Sequence, residues 1–365
     1  MTPLHGLLVA IAFGIASVPA VAGDVPVRKI ETLSPVYTID REYRSMTGPS
    51  SVQELTFPEA ATPELLWVTG FETTMVAADG VTEMPDEFMC HANLDFDREH
   101  HAQLLGLPVY HTDRLFTLSQ GQLQVRFPEG FGLPYYSDES FHLQTQVLQL
   151  NPDDKSHDVR HRVVLEYVRD RDVRSANGEM KPLFMTSGWG LVALGESSAH
   201  WGKEDVHAEQ DGPGCLPGTP ASADLRDDPL GRAFSGHWVV PPGRQVNRTL
   251  VTGLLGLRYD TTVHYIAVHL HPFAESVELR DLSTGETVFR SKVHGRDDRI
   301  GIRRVEHFES VEGIPMFADH EYELVSVYNN TTERDQDSMA VLLLYLQDRE
   351  FKAVAPMKLS FTAEP

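Results

Sequence analysis

Two histidines spaced two residues apart are the most specific candidate for chemistry in this sequence. They lie in the segment Tyr265-Ile-Ala-Val-His269-Leu-His271-Pro, which has the alternating pattern of a β-strand. Residues two apart on a strand face the same way, so His269 and His271 would present two imidazoles from one surface. Apolar residues would fill the opposite face, namely Ile266, Val268 and Leu270. Such a pair can supply two ligands to one metal ion, although the spacing alone is equally compatible with two surface histidines.

Three further motifs accompany this pair. The segment Val240-Pro-Pro-Gly243 precedes it, and Tyr328-Asn-Asn-Thr-Thr-Glu-Arg334 and Asp337-Ser-Met339 follow it. In this order and at this spacing, the region from Arg162 to Leu346 resembles the second domain of the copper type II, ascorbate-dependent monooxygenases. That family contains peptidylglycine α-hydroxylating monooxygenase and dopamine β-monooxygenase.

The resemblance implies a copper site. It makes His269, His271 and Met339 the ligands of the copper at which the family activates dioxygen, with ascorbate as the reductant. The ligand chemistry agrees, because imidazole suits copper and a thioether favours Cu(I). Met339 taken alone would be interpreted as a core methionine.

The front half departs from the family pattern. Family members bind a second copper through a His-His pair and a later histidine, and the place of the pair is taken here by Cys90-His91-Ala92. Alternation puts Cys90 on an apolar strand face and His91 on the other face, so His91 is the remaining candidate ligand. The later histidine is replaced by Asn151, a poor copper ligand. Substitutes would have to come from histidines that otherwise resemble surface residues, namely His100, His101 and His142.

A second departure concerns the substrate. Peptide-hydroxylating members hold a peptide carboxylate with an arginine before the histidine pair and with an asparagine and a tyrosine after the methionine. The matching residues here are Ala267, Val341 and Leu343. No bidentate carboxylate clamp remains, so we expect a less polar small molecule than a peptidylglycine.

Most of the chain is predicted to form short strands separated by Gly, Pro, Asn and Asp clusters. Only Arg98–Leu105 suggests a short helix. We therefore expect an all-β protein with two consecutive β-sandwich, jelly-roll-like domains and a cleft between them. The polar segment Asn151–His157 predicts a boundary that separates an N-terminal domain, residues 23–155, from a C-terminal domain, residues 156–365.

The first 22 residues are predicted to be a signal peptide. An apolar run from Leu7 to Val18 is followed by Ala20-Val21-Ala22, a small-x-small cleavage pattern, so we expect cleavage before Gly23. The run is shorter than the ~20 residues of a membrane-spanning helix, so we expect no membrane anchor. A periplasmic or secreted location follows, and this oxidising compartment permits a disulfide between Cys90 and Cys215.

Composition restricts the partners. The chain has 365 residues and a formal net charge of -22, and such an acidic surface disfavours nucleic-acid binding. Two cysteines exclude a Cys₄ zinc site. The acidic run Thr332–Asp337 is interpreted as a solvated loop, and His237 as a strand-end histidine or a group that orients a metal ligand.

Two functions are compatible with these features. The first is a copper-dependent monooxygenase that hydroxylates a C–H bond of a small substrate with O₂ and an external reductant. This version needs either a relay copper that includes His91 or direct reduction of a single copper. The alternative is a copper-binding protein without turnover, a carrier or sequestering protein, which the altered front site favours.

Overall fold

A computed structural model describes residues 25–45, 47–58, 62–108, 112–193, 225–227 and 232–352. Strands dominate these residues, as the turn-punctuated sequence predicts. The strands are β1 Arg28–Leu33, β2 Tyr37–Ile39, β3 Ser50–Thr56, β4 Leu65–Ala77, β5 Met89–Phe96, β6 Arg114–Leu118, β7 Gln124–Arg126, β8 Phe131–Tyr136, β9 Ser140–Val147, β10 His157–Arg169, β11 Lys181–Trp189, β12 Val192–Ala193, β13 Leu225–Asp227, β14 Ala233–Ser235, β15 Trp238–Val240, β16 Gly243–Leu250, β17 Thr261–Leu270, β18 Ala274–Asp281, β19 Thr287–Gly295, β20 Ile302–Val305, β21 Phe308–Met316, β22 Tyr322–Asn330, β23 Gln336–Ser338 and β24 Ala340–Gln347.

Helices are short. The predicted helix is present as α1, Arg98–Leu105, where the Asp97 side chain accepts hydrogen bonds from the first-turn backbone N–H groups of Glu99 and His100. It ends at Gly106, which has a left-handed φ of 63°. The others are α2 Asp170–Ser175, α3 Thr252–Leu255 and a 3₁₀ turn, Asp86–Phe88.

One ten-stranded sheet runs through both halves of the chain. Its order is β1-β10-β4-β8-β11-β24-β17-β21, with β2 added to β10 and β7 added to β4. The join between β8 and β11 is parallel and short, whereas the neighbouring pairs on either side are antiparallel. The sheet therefore continues from the front half into the back half without an edge between them.

Each half of the long sheet is covered by a second sheet. In the front half the cover has the order β3-β9-β5-β6, and in the back half β16-β22-β18-β19-β20. Apolar side chains from both layers meet in each core, for example Leu143 with Val163 in front and Leu279 with Leu342 behind. The all-β prediction with two sandwiches is confirmed.

The two faces of β17 and β24 pack against different cores. Ile266 and Val268 belong to the core of the back sandwich, as predicted. Tyr265 and Ala267, on the other face, belong to a core cluster that is shared with the front half. Successive side chains of these strands point to opposite faces of the sheet, and both faces are buried.

Buried hydrogen bonds join the halves. The Gln122 side chain accepts a bond of 2.8 Å from the backbone N–H of Val268 and donates one of 3.2 Å to the Tyr265 hydroxyl. The Tyr345 hydroxyl donates to the carbonyl oxygen of Leu115 at 2.9 Å. Unpaired polar groups at such positions would be costly, so these bonds favour one docked arrangement.

Strand pairing crosses the residue at which the sequence suggests a domain boundary. β10 begins at His157 and lies between β1 and β4, so the first strand after residue 155 pairs with the front half. None of the helices that the structure describes is long and apolar enough to span a bilayer.

Candidate metal centre

β17 places the two predicted histidine ligands at the junction between the halves. His269 lies on the strand face that turns to the front half, and His271 follows directly after the strand ends. Both are buried, at 3% and 6% exposure. Their ring centroids are 5.3 Å apart, with the ring planes at 85°. The pair therefore points into the protein rather than to solvent.

Met339 lies between β23 and β24, directly before the strand that pairs with β17. Leu270 pairs with Ala340 and His269 with Val341, and Met339 immediately precedes this register. Its side chain is fully buried in the core cluster that contains Ala267. The Tyr328 hydroxyl donates a hydrogen bond to the Met339 carbonyl oxygen and so fixes the backbone here. The structure thus brings the third predicted ligand beside the other two.

His269 has an unusual environment. Among the described residues, neither of its ring nitrogens has a hydrogen-bond partner, although both are buried. Burial, together with the positive charges that His271 and His91 would carry, holds the pKa of His269 well below its ordinary value. The imidazole is therefore neutral, which is the form that binds metals. An unpartnered, neutral, buried imidazole fits the requirements of a metal ligand.

Asp337 was missed by sequence reasoning. The interpretation of Thr332–Asp337 as a solvated loop is wrong for this residue, which lies on β23 and is 6% exposed. β23 pairs with β15, which places Val239 opposite Asp337. The signal that could have found it is the two-residue spacing between Asp337 and Met339, which puts both on one face of an extended segment.

Asp337 lies between two histidines. Its Oδ2 is 2.6 Å from Nδ1 of His271 and 3.4 Å from Nε2 of His237. Burial alone would raise the pKa of this carboxyl, but the two histidines hold the pKa below its usual range. His237, which precedes β15, is thus a strand-end histidine that also contacts Asp337. Its interpretation as a group that orients a metal ligand stays a prediction.

A small cavity adjoins these residues. His269, His271 and Asp337 line it from the back half, and Cys90 and Ser119 are among the residues that line it from the front half. Its volume of about 20 Å³ is enough for one water molecule or one metal ion. The centre therefore adjoins a small space between the two sandwiches.

His91 lies close to the centre but is not among its clustered ligands. It is 3% exposed on β5, and burial together with the positive charges of Arg114, His161 and His271 lowers its pKa to about 3. Within the described ranges, the one cluster of three or more acidic, histidine or cysteine ligand atoms is His237, His271 and Asp337. His91 is thus a neutral imidazole near the histidine pair.

The suggested substitutes for a front copper site do not gather around His91. His100 and His142 are exposed. His101 is buried, contrary to its interpretation as a surface residue, because its Nδ1 lies 2.7 Å from a Glu139 carboxylate oxygen. Asn151 uses its side chain to bind the backbone of Ile300. A second copper site of the family type therefore has no ligand set among the described residues.

Three other sequence predictions concern neighbouring residues. Ala267, Val341 and Leu343 are buried in the shared core, so no polar group replaces the missing carboxylate clamp at these positions. Cys90 is buried. Its predicted partner, Cys215, lies outside the described residues, and the disulfide stays a prediction.

No family model and no curated protein matches the sequence. Among solved structures, PNGase F, a glycosylasparaginase from Flavobacterium meningosepticum, is similar at a TM-score of 0.35 and 8% identity, over 90% of this chain and 98% of that chain. The major capsid protein P2 from bacteriophage PM2 has a TM-score of 0.29 and 7% identity, over 88% and 100%. Likenesses this weak carry no argument about activity.

Proposed function

We propose that this protein binds copper through His269, His271 and Met339. The observation that carries the proposal is His269, whose two buried ring nitrogens have no hydrogen-bond partner among the described residues. Leaving a buried donor or acceptor unpaired costs about 1–3 kcal/mol. A metal ion that accepts a nitrogen lone pair would offset this cost, which explains why a histidine occupies the position.

The donor set favours copper over harder cations. Two imidazoles combined with a thioether are soft to intermediate ligands, whereas Mg²⁺ and Ca²⁺ require oxygen ligands. The thioether of Met339 lies in an apolar cluster that stabilises a low-charge ion such as Cu(I). The motif order around the histidine pair supports the same choice.

The surrounding residues would prepare the ligands. Asp337 contacts Nδ1 of His271, which leaves Nε2 of this ring for the metal. The low pKa of His269 keeps this ring unprotonated at neutral pH. Tyr328 contacts the backbone of both other ligands, accepting a bond from the His271 N–H and donating one to Met339. The shared core excludes bulk water.

Hydroxylation is the first candidate for the reaction. Copper bound here would supply activation of O₂ for attack on a C–H bond, with ascorbate or a similar molecule as the external reductant. The support is the resemblance of the motifs around His269, His271 and Met339. The apolar residues Ala267, Val341 and Leu343 favour a weakly polar small-molecule substrate over a peptide carboxylate. With residues 1–22 as a signal peptide, the protein would act in the periplasm or outside the cell.

Copper binding without turnover is the second candidate. It is favoured by the cavity beside His269 and His271, because a volume of about 20 Å³ admits an ion or a water molecule but no organic substrate. The ligands are the same in both candidates.

One experiment tests the site and separates the candidates. The purified protein is loaded with copper and reduced, the copper per chain is counted, and O₂ consumption with ascorbate is measured. Met339→Ile is compared with Met316→Ile, since Met316 is also fully buried but belongs to the core of the back sandwich.

The outcomes are distinct. O₂ consumption that Met339→Ile abolishes and Met316→Ile preserves would support the monooxygenase. One tightly bound Cu(I) with negligible O₂ consumption would support a carrier or sequestering protein. Absence of bound copper in the unchanged protein would refute both.

A further inference from the structure

Three buried side chains next to the proposed copper ligands form a second set of donors. His237, His271 and Asp337 each offer one ligand atom, and these atoms lie within 4.8 Å of one another. All three side chains are more than nine-tenths buried. Two of them, His237 and Asp337, are not part of the proposed copper site. The set combines two imidazole nitrogens with one carboxylate oxygen.

The contact between His271 and Asp337 is close but is not aligned as a hydrogen bond. Nδ1 of His271 lies 2.6 Å from Oδ2 of Asp337, yet it counts among the buried nitrogens without a hydrogen-bond partner in the described structure. The ring N–H direction therefore does not point at the carboxylate oxygen.

A second histidine–aspartate pair in the same sandwich gives the comparison. Nδ1 of His320 also lies 2.6 Å from Oδ2 of Asp281, and this contact does have hydrogen-bond geometry. The His320 pair is more exposed, with 22% of the histidine side chain open to solvent. At the same distance, the exposed pair is aligned and the buried pair is not. The contact of Asp337 with Nε2 of His237, at 3.4 Å, does have hydrogen-bond geometry, so the misalignment is confined to His271 and leaves its Nδ1 available to an ion.

We propose that His237, His271 and Asp337 bind a second, divalent cation of the zinc class. Zinc accepts nitrogen and carboxylate oxygen ligands and needs three or four of them. Nδ1 of His271 faces Asp337, and the other ring nitrogen, Nε2, is left for copper. His271 would therefore bridge two ions as an imidazolate, and binding of the second ion would release the remaining ring proton of His271 to solvent. The inference rests on the proposed function for this bridge, whereas zinc binding itself does not need copper.

Charge supports a divalent ion at this position. Asp337 is a carboxylate that is 6% exposed and lies between His237 and His271. Buried charges are retained in proteins when they are paired or bind metals. A dication held by one carboxylate and two neutral imidazoles leaves one net positive charge, and loss of the His271 ring proton on copper binding would neutralise it.

The test is metal binding by the purified full chain after removal of metals with a chelator. Co²⁺ serves as a spectroscopic substitute for Zn²⁺, because its visible absorption reports nitrogen and oxygen coordination. Zn²⁺ affinity is measured by competition, and Cu(I) is then added to the zinc-loaded protein. Asp337→Asn and Met339→Ile remove one ligand from each proposed ion, and Asp281→Asn is the matched control.

We expect one Zn²⁺ and one Cu(I) per chain. Asp337→Asn should weaken Zn²⁺ binding at least tenfold and still bind Cu(I). Met339→Ile should weaken Cu(I) binding and still bind Zn²⁺. Asp281→Asn should bind both ions as the unchanged protein does. In the Cu(II) form, replacement of Zn²⁺ by Co²⁺ should alter the copper resonance spectrum, because a bridging imidazolate couples the two ions magnetically.

Two results would overturn the inference. One is no zinc binding by the unchanged protein, and the other is zinc binding that Asp337→Asn and His237→Gln leave unchanged. Failure of the proposed function gives a different pattern, in which Zn²⁺ binds through Asp337 but Cu(I) does not bind. Variants that misfold are recognised by loss of both ions together with a changed circular dichroism spectrum, and His237→Gln then provides the independent measurement.

Discussion

Replacement of His269 by leucine should make the metal-free protein more stable. His269 contributes two ring nitrogens that are buried and unpaired among the described residues, and its neighbours Ala267 and Val341 are apolar. Leucine has a similar volume and no polar atom, so the substitution removes the desolvation cost of the imidazole. An unpaired buried group costs about 1–3 kcal/mol, and we expect a gain of this size in the free energy of unfolding.

The opposite is expected for a buried histidine that has a partner. His101 lies 2.7 Å from Glu139, and both side chains are less than 5% exposed. His101→Leu would remove the histidine that faces the buried Glu139 carboxylate and leave it the hydrogen bond from the Tyr136 backbone N–H, which should cost about 3 kcal/mol. The two variants make the same chemical change at similar burial, and they should shift stability in opposite directions.

The assay is urea unfolding, first with a chelator present and then with Cu(I). Without metal, His269→Leu should unfold at a higher urea concentration than the unchanged protein. Cu(I) at 100 times its dissociation constant should stabilise the unchanged protein by about 2.7 kcal/mol and leave His269→Leu unaffected. A loss of stability in metal-free His269→Leu comparable to that of His101→Leu would refute the reasoning, since His269 would then be a structural residue with a partner.

Two other predictions concern stability. His161 is fully buried, and burial lowers its pKa to about 4 from an ordinary value of 6.5. Because the unfolded chain binds this proton more readily, the metal-free protein should lose up to about 3 kcal/mol of unfolding free energy as the pH falls from 6.5 to 4. His161→Gln should reduce this loss, as measured by urea unfolding at a series of pH values. An unchanged pH profile in that variant would contradict the assignment. Gln122→Leu should lower the free energy of unfolding by about 2–3 kcal/mol, because it leaves the backbone N–H of Val268 buried and unpaired. The same variant should weaken Cu(I) binding at the adjacent His269. Equal copper affinity in Gln122→Leu and the unchanged protein would show that docking of the halves does not support the site.

Strand alternation predicts which residues around the histidine pair share a strand face. The pattern around His269 and His271 determines which residues share a face, and the structure places Ile266 and Val268 on the opposite face as expected. These relations depend only on the two-residue period of a strand, and a single sequence contains that information. The choice of Met339 depends instead on the resemblance of the motifs, because alternation alone does not distinguish it from a core methionine.

Contacts between distant segments could not be predicted in the same way. His237 reaches Asp337 because β15 pairs with β23, and 100 residues separate the two side chains. The charged residues of Thr332–Asp337 resemble a solvated loop, although the last of them is buried. His101 resembles a surface residue for the same reason, since its partner Glu139 is 38 residues away. Burial of a polar residue depends on such a partner, and the partner is specified by the fold.

The location of the centre links metal binding to the docking of the two halves. His269 and His271 belong to the back half, but the cavity beside them is closed by front-half residues such as Cys90 and Ser119. The Gln122 side chain of the front half accepts a hydrogen bond from the backbone N–H of Val268, the residue before His269 on the same strand. An isolated back half would expose the histidine pair to water, which would supply hydrogen bonds to both rings and remove the reason for a metal to bind there. Metal affinity should therefore report whether the two sandwiches are docked, and loosening the junction should weaken binding even when all the ligands are intact.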